Sequence, residues 1–197
     1  TTLYVTLPEF AFKERPARAA FAEALQQNVR SLPGVDAVTL SFGLPPNGGA
    51  FSWGHLAADG VPRIVDHEQE LYWSQVTPDF FNVYGITLKE GRTFASDDAD
   101  NNVIVSEGLA AMLWPGQSPI GRRLKREEIP VWETVVGVVE DVMQDNFRDP
   151  APPAVYYPLV GQPPADWVVG SPAYVVKTPR AETIAPEIRA LVREVAP

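Results

Sequence analysis

Glu140, Asp141 and Asp145 follow a run of valines, and they are the side chains best placed for acid–base chemistry. Two carboxylates at the end of a strand can act as general acid and general base if an apolar cleft raises one pKa. Acidic residues are also common where a strand ends in a turn. A carboxylate hydrolase that uses Glu140 and Asp141 is therefore kept as an alternative, and it requires both side chains to face one pocket.

Metal binding by histidine is not indicated. His55 and His67 stand in polar surroundings, without a HExxH arrangement and without a third ligand at a recognisable spacing. We expect both side chains to be exposed and to bind no metal ion.

Asp97, Asp98 and Asp100 form an acidic cluster that resembles the start of a calcium-binding loop. Such a loop needs glycine at its sixth position and a bidentate glutamate at its twelfth. Counted from Asp98, those positions hold Val103 and Leu109. We expect a solvated turn here and no calcium site.

Other catalytic and ligand-binding classes are excluded by missing motifs, composition and charge. The chain has no GxSxG, Walker or GxGxxG sequence, and it has no cysteine. Its net charge of −9 argues against nucleic acid and against an anionic membrane surface, since both would repel it. The basic and acidic residues of one short stretch predict a mixed-charge hairpin: Arg122, Arg123, Lys125, Arg126, Glu127 and Glu128. We expect neither a cofactor nor a catalytic residue.

The two chain ends repeat one pattern of elements. Strands are predicted at Leu3 to Leu7 and Val35 to Phe42, and a helix between them at Pro16 to Leu32. Near the other end, Ala173 to Lys177 is strand-like, and the segment after Pro179 has apolar residues at helical spacing. We expect these elements to pack together as one layered α/β subdomain, with the rest of the chain inserted between them.

The middle of the chain is predicted to be mainly β. The stretch from Gly43 to Arg63 is rich in glycine and proline and indicates a loop or irregular crossover. Short strands are predicted at Leu71 to Val76, Ile86 to Leu88, Val103 to Val105, Val131 to Val139 and Val155 to Tyr157. Two short helices are predicted at Pro78 to Tyr84, ended by Gly85, and at Ser106 to Leu113, ended by Trp114.

Three ordered motifs connect this middle region to a known family. They are Val76 to Phe94 (VTPDFFNVYGITLKEGRTF), Val103 to Leu124 (VIVSEGLAAMLWPGQSPIGRRL) and Val135 to Val142 (VVGVVEDV), followed by Val155 to Leu159 (VYYPL). In this order they resemble the periplasmic core domain of MacB-like ABC transporter permeases. The flanks of the chain look similar to that family too. More specifically, the chain resembles the second extracytoplasmic domain of the duplicated orphan permeases typical of acidobacteria.

Two short segments depart from the pattern of that family. Ser106 to Gly108 replaces a more usual Asn-Glu-Ala, and Glu140 with Asp141 replaces a more usual Gly-Asp. The first lies at a helix start and the second at a turn, so they leave the resemblance intact.

The resemblance implies an α+β fold with a discontinuous architecture. Residues 1–60 and 160–197 would form an α/β porter-like subdomain next to the membrane, and residues 61–159 an inserted, mainly β, sabre-like subdomain. It also implies residues that shape the fold and do no catalysis: Pro78, Phe80, Phe81, Gly85, Gly91, Arg92, Trp114, Pro115, Gly121, Gly137 and Tyr156. Among these, Gly85 and Gly91 suit positive φ, and Gly137 inside a valine run indicates a bulge or a close backbone approach.

The function implied by the resemblance is mechanical. Such a domain lies on the periplasmic face of the bacterial inner membrane and couples ATP-driven motion to an external substrate or partner. Its partners would be transmembrane helices of the same polypeptide, a cytoplasmic ABC ATPase, and an adaptor or a second copy of the domain. The alternative is a periplasmic substrate-binding module for a peptide or lipid, which predicts an apolar cleft between the subdomains. Because the chain opens on a strand and stops just after a helix, we expect it to be cut from a longer polypeptide.

Overall fold

The computed structural model describes residues 2–4, 15–41, 56–61, 71–95, 101–126, 131–143, 151–159 and 173–195. The helices within these stretches are α1 (Arg15–Arg30), α2 (Phe80–Tyr84), α3 (Glu107–Leu113) and α4 (Ala185–Val195). The strands are β1 (Thr2–Tyr4), β2 (Ala37–Ser41), β3 (Leu56–Ala58), β4 (Tyr72–Val76), β5 (Leu88–Gly91), β6 (Asn102–Ser106), β7 (Arg123–Arg126), β8 (Glu133–Val139), β9 (Ala154–Pro158) and β10 (Ala173–Lys177).

All of these strands hydrogen-bond into one mixed sheet. Its order is β1, β10, β2, β4, β9, β6, β8, β7, β3, and β5 pairs with β8 as well. The pairs β4 with β9 and β6 with β8 are parallel, and the other ladders are antiparallel. The molecule is therefore a mixed α+β domain built on one large mixed sheet.

Elements from both chain ends form what we call the terminal part: β1, α1, β2, β10 and α4. The predicted helical face of α1 is confirmed, since Phe21, Leu25 and Val29 are buried. They pack against buried residues from β2, β10 and the α4 region: Val38, Leu40, Tyr174, Val176, Ile184 and Ile188. The two chain ends thus share one apolar core, as the repeated pattern predicts.

The elements from β3 to β9, with α2 and α3, form what we call the central part. Its strands alternate, so that each contributes side chains to both faces of the sheet. One face carries Trp73, Val105 and Val155 under α3, with Trp114 at the helix end. On the other face, Tyr72 and Tyr156 of the sheet pack with Phe80 and Phe81 of α2 and with Phe94. Strands β4, β6, β8 and β9 are therefore buried on both sides of the sheet, which explains why they are largely apolar.

A bulge in β8 reverses this alternation. Val103 of β6 pairs with Val135, but the next residue, Ile104, pairs with Gly137, so Val136 is extra. Val135 and Val138 consequently face the α3 side, although they are an odd number of residues apart. The predicted irregularity at Gly137 is confirmed.

Two predicted segments differ from the observed ones. The stretch predicted as a loop from Gly43 to Arg63 contains β3, because Leu56 and Ala58 become buried when β3 pairs with β7. The strand predicted at Ile86 to Leu88 begins at Leu88 instead. Ile86 belongs to the end of α2, where its backbone N–H donates to the carbonyl of Phe81. Both errors arise because residues of the predicted segment contact residues outside it.

Candidate functional site

The place where the terminal part meets the central part is the narrowest point of the sheet. All five residues of β2 pair with β10 on one side. On its other side β2 pairs with β4 through one residue pair, Ser41 with Val76. By contrast, β4 pairs along its whole length with β9. The sheet is thus continuous through a short ladder, and helix α2 of the central part also packs against β2 and β10.

Thr77, directly after β4, extends this ladder with its side chain. Its backbone N–H donates to the carbonyl of Leu40 at 3.0 Å, and its hydroxyl accepts from the N–H of Leu40 at 3.0 Å. The same hydroxyl lies 2.9 Å from the hydroxyl of Thr39. Both threonines are buried, so these bonds are shielded from competing water. A hydroxyl therefore replaces a carbonyl as the acceptor for β2.

An ion pair lies beside these hydrogen bonds. Arg30, the last residue of α1, contacts the carboxylate of Asp79 at 2.9 Å. Asp79 precedes α2, and its side chain makes no capping hydrogen bond to that helix, which leaves the carboxylate to Arg30. A cation at a helix C-terminus and an anion at a helix N-terminus also suit both helix dipoles. We call Arg30, Thr39, Leu40, Thr77 and Asp79 the junction.

Aromatic packing fixes α2 to the central sheet. The rings of Phe80 and Phe81 lie 5.9 and 5.2 Å from the ring of Tyr156, measured between centroids. The helix ends at Gly85, whose φ of 71° confirms the predicted left-handed position. Since α2 begins just after Thr77 and Asp79, a movement of the junction would also move Phe80 and Phe81.

A second group of the predicted fold-shaping residues lies where β5 pairs with β8. The N–H of Arg92 donates to Val136 at 3.0 Å, and the N–H of Gly121 donates to Val135 at 2.8 Å. Gly91 and Gly121 both have positive φ, as expected for Gly91. Gly91 and Gly137 are paired across the two strands.

Trp114 and Pro115 lie at the end of α3. The predicted buried indole of Trp114 is confirmed, and its N–H donates to the carbonyl of Asp59 at 3.4 Å. Pro115 is exposed. The carboxylate of Asp59 contacts Arg123 at 3.0 Å, so this end of α3 is held to β7.

The carboxylates proposed for hydrolysis are bound to backbone groups instead. Glu140 accepts from the N–H of Thr87 at 2.9 Å, and this hydrogen bond is the main reason why the pKa of Glu140 lies below its ordinary value. Asp141 accepts from the N–H of Gly108 in α3 at 2.9 Å. A general acid needs a raised pKa, so this arrangement does not favour the hydrolase alternative.

Gly108 and Asp141 come from the two segments that depart from the family pattern, and they are in contact. An added Cβ at Gly108 would lie 3.0 Å from the carboxylate of Asp141. Glycine at this position therefore leaves room for the carboxylate to bind the first turn of α3.

The predicted mixed-charge hairpin is observed as β7 paired with β8. The side chains of Arg123 and Lys125 lie 5.3 and 5.1 Å from the ring centroid of Trp132, within the range of cation–π contacts. Arg122 donates to the backbone carbonyl of Ser118 at 3.1 Å. These basic groups are therefore engaged within the domain. Glu127 and Glu128 lie outside the described residues.

The remaining sequence candidates lie outside the described residues: His55, His67, Asp97, Asp98, Asp100 and Asp145. Within the described stretches, no three histidine or acidic side chains come together in a way that could hold a metal ion.

Sequence reasoning missed the junction residues as a group. Thr77 and Asp79 lie inside a quoted motif, but only the strand-to-helix position of Thr77 could have drawn attention to it. Arg30 and Thr39 carry no local signal, because their partners are 49 and 38 residues away.

Residues 2–193 match the family model of the MacB-like periplasmic core domain, and the chain belongs to that family. It is therefore an extracytoplasmic domain of a MacB-like ABC transporter. The family consists of transporter domains without catalytic activity.

Solved structures show the same fold. The chain is similar to the periplasmic region of MacB from Actinobacillus actinomycetemcomitans, with a TM-score of 0.57, 17% identity, and coverage of 88% of this chain and 73% of that one. It is also similar to the extracellular domain of the noncanonic ABC-type transporter YknZ from Gram-positive bacteria. There the TM-score is 0.54 and the identity 17%, over 98% of this chain and 94% of that one. At these identities the likeness concerns the fold alone.

No curated protein matches the chain. Within the described stretches, none of the helices has both the length and the apolar character that crossing a membrane requires.

Proposed function

We propose that this domain transmits ATP-driven motion of a transporter to an external substrate or partner. The terminal part would attach to transmembrane helices of the same polypeptide on the periplasmic face of the inner membrane. The central part would project outward and contact an adaptor or a second copy of the domain. A cytoplasmic ABC ATPase would supply the motion from a distance.

The proposal assigns the two parts to two subdomains, porter-like and sabre-like. Residues from both chain ends would form the first, and the residues inserted between them the second. Because β3 pairs with β7, we place the first crossing between Ser41 and Leu56, and the return crossing between Leu159 and Ala173. The narrower assignment to the acidobacterial permeases stays a prediction.

One observation carries this proposal. The terminal part has its own cluster of buried apolar residues, and among the described residues of the central part only the partly buried Leu159 packs against it. Because each part has its own core, each can move as a rigid body and transmit movement through the junction.

The test measures movement of the central part relative to the membrane. A dye would be attached through Ala111→Cys, on the exposed side of α3, in a cysteine-free form of the whole transporter. Energy transfer to dye-labelled lipid would then be compared with ATP, with ADP and without nucleotide, in reconstituted bilayers.

We expect the transfer efficiency to change when ATP binds. An ATPase variant that cannot bind ATP is the control, and it should show no change. Equal transfer in all nucleotide states would overturn the proposal. Saturable, nucleotide-independent binding of a peptide or lipid by the domain, combined with that result, would favour the substrate-binding alternative.

A further inference from the structure

We propose that the junction is a hinge, in which Thr77 is the pivot and the Arg30–Asp79 ion pair is a releasable latch that fixes the angle between the two parts. The inference rests on the proposed function for its purpose, but its geometry stands on the contacts alone. Thr77 and Asp79 are then positioning residues, which act through the elements that they connect.

The pivot follows from where the hydrogen bonds lie. Three polar contacts converge on Thr77, from the N–H and carbonyl of Leu40 and from the hydroxyl of Thr39. Bonds that meet near one residue prevent the two strands from separating, but they resist rotation much less than a ladder does. The five paired residues between β2 and β10 resist both. Among the strand pairings, rotation is therefore easiest at Thr77, and it would slide α2 over β2 and β10, against which α2 packs.

The latch follows from the position and exposure of the ion pair. Arg30 ends α1 of the terminal part, and Asp79 precedes α2 of the central part, so the pair spans the hinge away from the buried threonines. The two side chains are 59% and 26% exposed. Water and salt weaken such a pair, so it can open without leaving an unpaired charge in the interior.

The elements on both sides of the hinge are rigid. Helix α2 is held to the central sheet by Phe80 and Phe81 against Tyr156. Helix α1 is held to β2 by apolar packing and by the side-chain amide of Gln26, which donates to Val38 at 3.0 Å. Hinges of this kind occur at the ends of elements between rigid bodies, and the junction lies at such a position.

The test measures a distance across the junction by double electron–electron resonance. The chain contains no cysteine, so Ala111→Cys and Ala190→Cys place one spin label on each part without background. Both positions are exposed, on α3 and α4. The distance distribution would be recorded for this chain at low and high salt.

Arg30→Gln and Asp79→Asn are expected to widen the distribution or to shift its maximum. High salt should change the distance distribution of the unsubstituted chain in the same way. Arg30→Lys keeps a cation and should retain the original distribution at low salt. Since Arg30 and Asp79 are at the surface, we expect these variants to fold.

Arg123→Gln is the matched control. Its ion pair with Asp59 has a similar length, 3.0 Å, and both of its side chains are about half exposed, but it lies wholly within the central part. This variant should leave the distribution unchanged. An unchanged distribution in Arg30→Gln and Asp79→Asn, or an equal change in Arg123→Gln, would overturn the latch.

The pivot is tested separately with Thr77→Val and Thr77→Ser. Valine removes the hydroxyl and should widen the distribution, whereas serine should restore it. If Thr77→Val does not fold, Thr39→Val removes one partner of the same hydroxyl and takes its place. A narrow distribution in the valine variant that folds would contradict a pivot at Thr77.

Failure of the hinge can be distinguished from failure of the proposed function. If the latch variants leave the distance unchanged while energy transfer still depends on nucleotide, the domain moves as one rigid body and only the hinge is wrong. If the latch variants widen the distribution but energy transfer is the same in all nucleotide states, the hinge stands and the coupling function is wrong.

Discussion

Gly91 of β5 lies directly opposite Gly137 of β8, and each glycine faces the backbone of the other strand. An added Cβ at Gly91 would overlap the carbonyl oxygen of Val136, and one at Gly137 would overlap that of Arg92. The two strands can therefore approach this closely only because both residues lack a side chain.

Alanine at either of these positions is expected to destabilise the domain strongly. Because the obstructing atoms belong to the backbone, they cannot rotate away, and we expect Gly137→Ala to cost about 3 kcal/mol or more. Gly91→Ala adds the strain of a positive φ to the same overlap. Free energies of unfolding from urea titrations measure both effects.

Gly116→Ala is the control for conformational strain alone. Gly116 has a φ of 70°, and no atom lies within 4 Å of an added Cβ there. We expect a loss of about 1–2 kcal/mol at this position. A loss in Gly137→Ala as small as that in Gly116→Ala would contradict the close approach of β5 and β8.

The contact between Gly108 and Asp141 predicts a coupled pair of substitutions. Asp141→Ala removes an acceptor from the first turn of α3 and should cost about 1 kcal/mol. Gly108→Ala gains up to about 1 kcal/mol of helix propensity but crowds the carboxylate of Asp141, so we expect little net change alone.

In the Asp141→Ala background, Gly108→Ala should become stabilising, because the carboxylate that it crowds is gone. The double-mutant cycle, measured by thermal unfolding, gives the coupling. Additive effects of the two substitutions would show that the contact does not influence stability.

Glu140 predicts a loss of stability in acid. Its pKa is lowered in the folded domain, mainly by the hydrogen bond from the N–H of Thr87. A lowered folded pKa means that the unfolded chain binds protons more readily. The contribution of Glu140 is therefore complete above the ordinary pKa of glutamate, about 4.3, and is lost as the pH falls through the lowered value.

Glu140→Gln should remove this part of the pH dependence. The measurement is the free energy of unfolding between neutral pH and about pH 3, which includes the ordinary glutamate range. Glu182→Gln, at an exposed position before α4, is the control for removing one surface charge. Parallel pH profiles for Glu140→Gln and the original chain would contradict the role of the Thr87 hydrogen bond.

Tyr174 predicts a loss of stability in alkali. Burial raises the pKa of its phenol, and its hydroxyl has no hydrogen-bond partner among the described residues. Above the ordinary tyrosine pKa of about 10, the unfolded chain releases this proton while the folded domain keeps it, so stability falls as pH rises.

Tyr174→Phe should remove this alkaline effect. At neutral pH we expect the variant to be as stable as the original or more stable by about 1 kcal/mol, because a buried hydroxyl without a partner is removed. Thermal unfolding at neutral pH and above pH 10 measures both effects. A clear loss of stability at neutral pH would show that the hydroxyl has a partner.

Most elements could be predicted from the sequence, because their signals are local. The helical spacing of Phe21, Leu25 and Val29 predicted the buried face of α1. Gly85 predicted the end of α2, and Gly137 the irregularity in β8. The shared core of the two chain ends also followed, since both segments carry an apolar face that must be covered.

The tertiary structure alone decided which distant residues meet. Arg30 and Asp79 are separated by 49 residues and Thr39 and Thr77 by 38, and neither pair follows from any local pattern. The same is true of β3, which is a strand only because β7 lies beside it. Periodicity reports which side of an element is buried, but it does not report the partner. The junction therefore appears only when the strands of the sheet have been placed in order.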